Sequence, residues 1–173
     1  MRRRLELVRS LPSSDPFAPH PALFLPAVEV RSKEALFSRL AIALAAAGVV
    51  IDARALLEAL VERESSGNTA VGFGLGVPHA RSAVVATTAV ACARLRPPLD
   101  YGAPDGTPVG LVLLAVAPYG VTGALFMPIL DSIVALARDE PSRRRLLGIS
   151  TFQEFGALLV GILKPFVVEA LSL

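Results

Sequence analysis

The sequence predicts an α/β fold, a mixed β-sheet flanked by helices in a single domain, and three observations carry that expectation. Apolar stripes at helical spacing interleave along the chain with short β-rich runs, which calls for a sheet covered by helices. The stretch Val109 to Ala117 is continuously apolar, as expected of a strand buried on both faces. Apolar residues make up 53% of the 173 residues, ample for one core of that design.

Residues 1–21 open with Met1-Arg2-Arg3-Arg4 and are punctuated by Pro12, Pro16, Pro19 and Pro21. This proline-rich leader reads as an extended or disordered arm, with His20 solvated and idle inside it. The domain is assigned to residues 22–173. Its first ten residues alternate weakly through Leu23, Leu25, Val28 and Val30, a short strand. Ser32 is a good N-cap for a helix carrying Leu36, Leu40 and Leu44, and Gly48 ends it. Asp52 caps a second helix with Leu56, Leu57, Leu60 and Val61 inward, running out at Glu62-Arg63-Glu64.

Ser65-Ser66-Gly67-Asn68 is a turn cluster, and Thr69-Ala70-Val71 a strand that enters a glycine-rich stretch. A β-rich segment from Val84 to Leu95 is expected to stop at Pro97-Pro98. Residues 99–106 are loop, in which Tyr101 and Asp105 have no evident task. After the apolar strand, a helix bears Leu130, Ile133, Val134 and Ala137, with Pro128 expected in its first turn. Pro141 follows its end, and Arg143-Arg144-Arg145 begins a short helical piece with a solvated basic face. Ser150 with Gln153, or Thr151 with Glu154, offers a capping box for a last helix that turns Phe152, Phe155, Leu159 and Ile162 inward.

Several functions are disfavoured. Seventeen basic against fifteen acidic residues leave a net charge of +2, too balanced to suggest nucleic acid as a partner. The lone Cys92 has no disulfide partner in the chain and fits a reducing, cytoplasmic setting. No apolar run follows the basic start, so it does not read as a signal peptide. Residues 106–130 carry no charge and are long enough to span a bilayer. Pro118-Tyr119-Gly120-Val121-Thr122-Gly123 breaks them, so strand, turn and helix are expected rather than a membrane span. With no second histidine in the ordered region and no cysteine pair, neither a metal nor any other cofactor is expected. There is no Walker lysine and no Gly-x-Ser-x-Gly elbow.

Chemistry is expected around Gly72-Phe73-Gly74-Leu75-Gly76-Val77-Pro78-His79-Ala80-Arg81. The alternate glycines let backbone approach another group closely, and Pro78 restricts the backbone that delivers His79. A neutral imidazole is a nucleophile at physiological pH and can accept a phosphoryl group on one nitrogen while the other fixes the tautomer. It equally suits a satisfied, partly buried histidine at a turn. Arg63 and Arg81 offer charge-assisted hydrogen bonds to an anion, or simply solvated charge. Ser65, Ser66, Asn68 and Thr69 offer further donors, or simply make a turn.

The series Arg63-Glu64-x-x-Gly67-Asn68-Thr69-Ala70-Val71-Gly72-x-Gly74-Leu75-Gly76-Val77-Pro78-His79-Ala80-Arg81 resembles the central motif of the fructose/mannitol-type IIA domains of the bacterial phosphotransferase system, a family that includes the nitrogen-regulatory IIA proteins. Ser32-Lys33-Glu34, Leu99-Asp100-Tyr101, Asp105-Gly106-x-Pro108-Val109 and Ala117-Pro118 extend the likeness over about residues 22–163. The resemblance implies that His79 accepts a phosphoryl group from an HPr-type phosphocarrier protein. It implies that the group then passes to a IIB domain during sugar uptake, or serves as a signal to a regulatory target. Arg63 would stabilise the group in transfer, Arg81 matches a commonly basic position, and Ser66, Asn68 and Thr69 would support it. One departure stands out. The family's second histidine, in a His-Leu pair opening the helix after the central strand, aligns with Phe126-Met127. An alternative reading is therefore a phosphorylation-independent regulatory binding module that kept the fold.

Overall fold

In a computed structural model, residues 19–171 are described, and beyond Ile162 only by their backbone course. Most of the expected leader, residues 1–18, lies outside them. Its last residues are not an arm: Pro21–Leu23 is a 3₁₀ turn, capped by His20, whose Nδ1 accepts from the Ala22 N–H at 3.1 Å. The six strands are β1 (Phe24–Val28), β2 (Ala70–Gly72), β3 (Leu75–Gly76), β4 (His79–Ser82), β5 (Ala89–Leu99) and β6 (Val109–Pro118). Among the described residues the α-helices are α1 (Lys33–Ala46), α2 (Ala53–Ser65), α3 (Gly123–Arg138), α4 (Glu140–Gly148) and α5 (Phe152–Leu171).

The sheet is mixed, in the order β1-β5-β6-β3-β2, with β4 also paired to β6. β6 is its axis, and Leu111 to Ala117 are all buried, as the uninterrupted apolar run requires. On one side β6 pairs antiparallel with β5. On the other it pairs in parallel first with β3, through Leu111 and Val112, and then with β4, from Ala115 to Pro118. Val77 and Pro78 make the step between these two short strands. That step delivers His79 opposite Ala115.

Local chemistry sets the helix ends. Ser32 Oγ accepts from Ala35 N at 3.1 Å, and Asp52 Oδ1 accepts from both Arg54 N and Ala55 N at 3.0 Å. Leu36, Phe37, Leu40, Ala41 and Leu44 of α1 face Leu56 and Leu60 of α2 in the core, whereas Val61, expected inward, is exposed. The Thr151–Glu154 capping box forms: Glu154 N donates to Thr151 Oγ1, and Glu154 Oε2 accepts from Thr151 N.

Three expectations are corrected. β5 starts at Ala89 rather than Val84 and runs through Pro97 and Pro98 to Leu99. The prolines are tolerated because the β1 pairing ends at Leu95, and the β5–β6 register breaks between Arg94 and Leu99. Pro128 lies in the second turn of α3, not the first, because the helix already starts at Gly123 after Thr122. The N–H it lacks would have served the Ala124 carbonyl, on an exposed part of the helix. The arginine run is not simply a solvated face. Arg143 donates to Ala137 O at 2.9 Å and lies over the Phe73 ring, and Arg144 pairs with Glu140.

Candidate functional site

The glycine-rich stretch is a tight hairpin between β2 and β3. Gly72, Phe73 and Gly74 all take positive φ, at 87°, 58° and 78°. What the backbone approaches is the Asp105 carboxylate, which accepts from Phe73 N at 2.7 Å and Thr107 N at 3.0 Å. A Cβ on Gly72 would meet Asp105 Oδ2 at 3.0 Å. The glycines therefore serve the hairpin and its clasp, and Asp105 is not idle loop. These two backbone donors hold its carboxyl below the usual carboxylate range.

His79 opens β4, half-buried. Its Nδ1 lies 2.9 Å from the Val77 carbonyl oxygen. A carbonyl only accepts, so Nδ1 carries the proton and donates. Nε2 is then the bare nitrogen, and it accepts from Arg63 Nε at 3.1 Å. The same guanidinium donates through Nη1 to Gly67 O at 2.9 Å, which anchors it to the turn that caps α2. Burial lowers the His79 pKa from the ordinary histidine value, and the Arg63 charge acts the same way; the Val77 carbonyl and the Glu64 carboxylate pull it upward. The result is a neutral imidazole with one fixed tautomer and a guanidinium at its lone pair.

Phe126, in the first turn of α3, is 3% exposed, and its ring centroid lies 6.5 Å from that of His79 at an interplanar angle of 57°. An apolar ring thus occupies the neighbourhood where the resemblance leads one to expect a second imidazole. Arg81 shares the His79 face of β4 by strand alternation. Its exposed guanidinium reaches Val121 O at 2.9 Å, in the loop that leads to α3, rather than His79.

The other predicted residues hold the scaffold around the site. Ser66 Oγ and Ser65 Oγ donate to Glu62 O in the last turn of α2. Asn68 Nδ2 donates to Tyr101 O and Gly102 O at 2.9 and 2.7 Å, tying that turn to the loop after β5. Thr69 is 5% exposed and its Oγ1 lies 2.5 Å from Glu64 Oε2. The structure brings Arg63 and His79 into hydrogen-bond contact and gathers beside them Glu64, Lys33 and Tyr101, to which sequence reasoning gave no task. Tyr101 is 1% exposed, its hydroxyl 3.2 Å from Thr69 Oγ1. The one available signal was the charged pair Arg63-Glu64, at a helix end where a second charge has to be accommodated.

Among the described residues no three His, Cys, Asp or Glu side chains gather as a metal group, and no helix is long and apolar enough to cross a membrane.

The family described as phosphoenolpyruvate-dependent sugar phosphotransferase system, EIIA 2, matches residues 20–160. A nitrogen regulatory protein of Bradyrhizobium diazoefficiens is 38% identical over 136 residues, 79% of this chain and 86% of that protein. A fructose-specific EIIA component of Haloferax volcanii is 34% identical over 68% of this chain and 76% of its own. The crystal structure of the nitrogen regulatory protein IIA-Ntr from Neisseria meningitidis superposes with a TM-score of 0.72 at 30% identity, covering 80% of this chain and 93% of that one.

Proposed function

The chain belongs to the EIIA 2 family of the phosphoenolpyruvate-dependent sugar phosphotransferase system, and from that membership we propose that it carries a phosphoryl group on Nε2 of His79. The observation that supports this reading is the Arg63 Nε contact at 3.1 Å to the bare nitrogen of a histidine whose other nitrogen is already committed to Val77 O. The Nε2 lone pair attacks phosphorus, and the bond from phosphorus to the donor's nitrogen breaks, its electron pair returning to the donor. The Nδ1 proton stays where the Val77 carbonyl holds it. As the group arrives, Arg63 transfers its N–H from Nε2 to a phosphoryl oxygen and stabilises the spread charge.

The donor is an HPr-type phosphocarrier and the recipient a IIB domain or a regulatory target protein. The nitrogen-regulatory relatives favour a role in which the phosphorylation state is read by a partner. Incubation with phosphoenolpyruvate, Enzyme I and an HPr-type carrier tests the reading. The intact protein gains one phosphoryl mass, His20→Ala keeps that gain and His79→Ala loses it. Unchanged phosphorylation of His79→Ala overturns the proposal.

Phe126 beside His79 favours a second reading, a binding module that signals without phosphoryl turnover. It requires that wild type and His79→Ala capture the same regulatory partner while neither gains mass. It fails if His79→Ala loses the partner.

A further inference from the structure

Glu64 is a carboxylate placed where a phosphoryl-transfer site can least accommodate one. It follows Arg63 directly, its side chain is only 9% exposed, and its charge reaches the His79 imidazole. A buried carboxylate needs partners. Oε1 accepts from Lys33 Nζ at 2.7 Å and from Thr69 N at 3.2 Å. Oε2 accepts from Thr69 Oγ1 at 2.5 Å, which commits that hydroxyl's only proton. The Tyr101 hydroxyl, 3.2 Å from Thr69 Oγ1, must then be the donor in that contact. Lys33 is itself held, with Nζ 4.3 Å from the centroid of the Tyr101 ring. Lys33 and Thr69 thus bond the carboxylate directly and Tyr101 braces both of them, and among the described residues Lys33 is the one cation bonded to it.

We propose that Lys33 is a positioning residue for phosphoryl transfer at His79: it fixes and neutralises Glu64, so that the incoming phosphoryl group meets the field of Arg63 and not that of a carboxylate. This rests on the phosphoryl-acceptor reading of His79. Without the ammonium, Glu64 presents an uncompensated negative charge beside an anionic substrate and competes for the guanidinium that faces Nε2. Both effects oppose transfer. The charged groups around His79 are Arg63 and Glu64 from α2 and Arg81 from β4; Phe126 of α3 brings no charge.

The test uses the full chain as Lys33→Met, Lys33→Arg, Glu64→Gln and the Lys33→Met/Glu64→Gln pair, each checked by thermal melting. Phosphoramidate is the donor, because it is small and needs no docking surface, and phosphoryl incorporation is read at His79 by fragment mass. The His79 ring protons are titrated by NMR in parallel. Lys33→Met is expected to slow incorporation about tenfold and to raise the pH at which His79 titrates. Lys33→Arg stays near wild type. The double variant recovers both rate and titration, because the charge to be masked has gone with its mask. The proposal is overturned if folded Lys33→Met matches wild type in both readouts, or if the double variant remains as impaired as Lys33→Met. Should Lys33→Met not fold, Glu64→Gln and the double variant decide: equal incorporation rates support an effect of Lys33 exerted through Glu64, and a double variant slower than Glu64→Gln overturns it. If wild type takes no phosphoryl group on His79, the acceptor reading fails, while the titration series still decides the masking.

Discussion

The neighbours of His79 choose its tautomer. The Val77 carbonyl accepts the hydrogen bond from Nδ1–H and Arg63 faces Nε2, so the proposed nucleophile needs no deprotonation at neutral pH. Phosphorylation rates are therefore expected to stay level as pH falls into the ordinary histidine range, and to drop only below it. A pH-rate profile with a midpoint above that range contradicts the assignment. Stability carries the same signature. Between the lowered folded pKa and the ordinary value, the unfolded chain binds more protons than the folded one, so stability falls as pH is lowered through that window. Urea melts of wild type and His79→Ala should differ in slope there and agree above it. Arg63→Ala is expected to cut transfer by roughly 10²–10³, and Arg63→Lys to recover only part, since an ammonium lacks the planar fork that serves Gly67 O and Nε2 together. At this scale residue types and motif singled out His79 and Arg63, which the structure brings into hydrogen-bond contact. They did not reveal that Ser66, Asn68 and Thr69 spend their polar groups on Glu62, the 101–102 backbone and Glu64. Side chains that can bind a phosphate can also tie a loop, and only the fold decides between the two.

The elements follow from signals of very different reach. α1, α2 and β6 were legible because their causes are local: a capping oxygen, an apolar stripe, an unbroken apolar run. β5 was misjudged at both ends because strand extent depends on pairing partners far along the chain, and prolines there meet no β1 neighbour. The β2–β3 hairpin shows the same limit. Its glycines promised a close approach, but the approaching group, Asp105, comes from a distant loop. Gly72→Ala combines a left-handed φ of 87° with a Cβ 3.0 Å from Asp105 Oδ2. It is expected to cost about 1–3 kcal/mol, read by denaturant unfolding, and to disturb the step that delivers His79. Asp52→Ala removes the acceptor for two N–H groups of α2 and is expected to cost about 1 kcal/mol while leaving the His79 titration in place. A shift in that titration would show that the cap, and not only the α2 terminus, sets the site.

Over the whole molecule, the site is an assembly. α2 supplies Arg63, the β3–β4 step supplies His79, α3 brings Phe126, and Lys33, Glu64, Thr69 and Tyr101 lock the segments beneath them. Phe126→His puts an imidazole on the face where this chain has a phenyl ring, and on the proposed reading is expected to speed onward transfer of the phosphoryl group without moving it from His79. An unchanged discharge rate would mean that Phe126 sets packing alone. The measurement that bears most directly on the account is nitrogen NMR of the ¹⁵N-histidine-labelled, phosphorylated chain, which distinguishes the two ring positions. The account predicts phosphorus bonded to Nε2 of His79, with the Nδ1 proton still held by Val77. A phosphoryl group on Nδ1, or none on His79 at all, would contradict it.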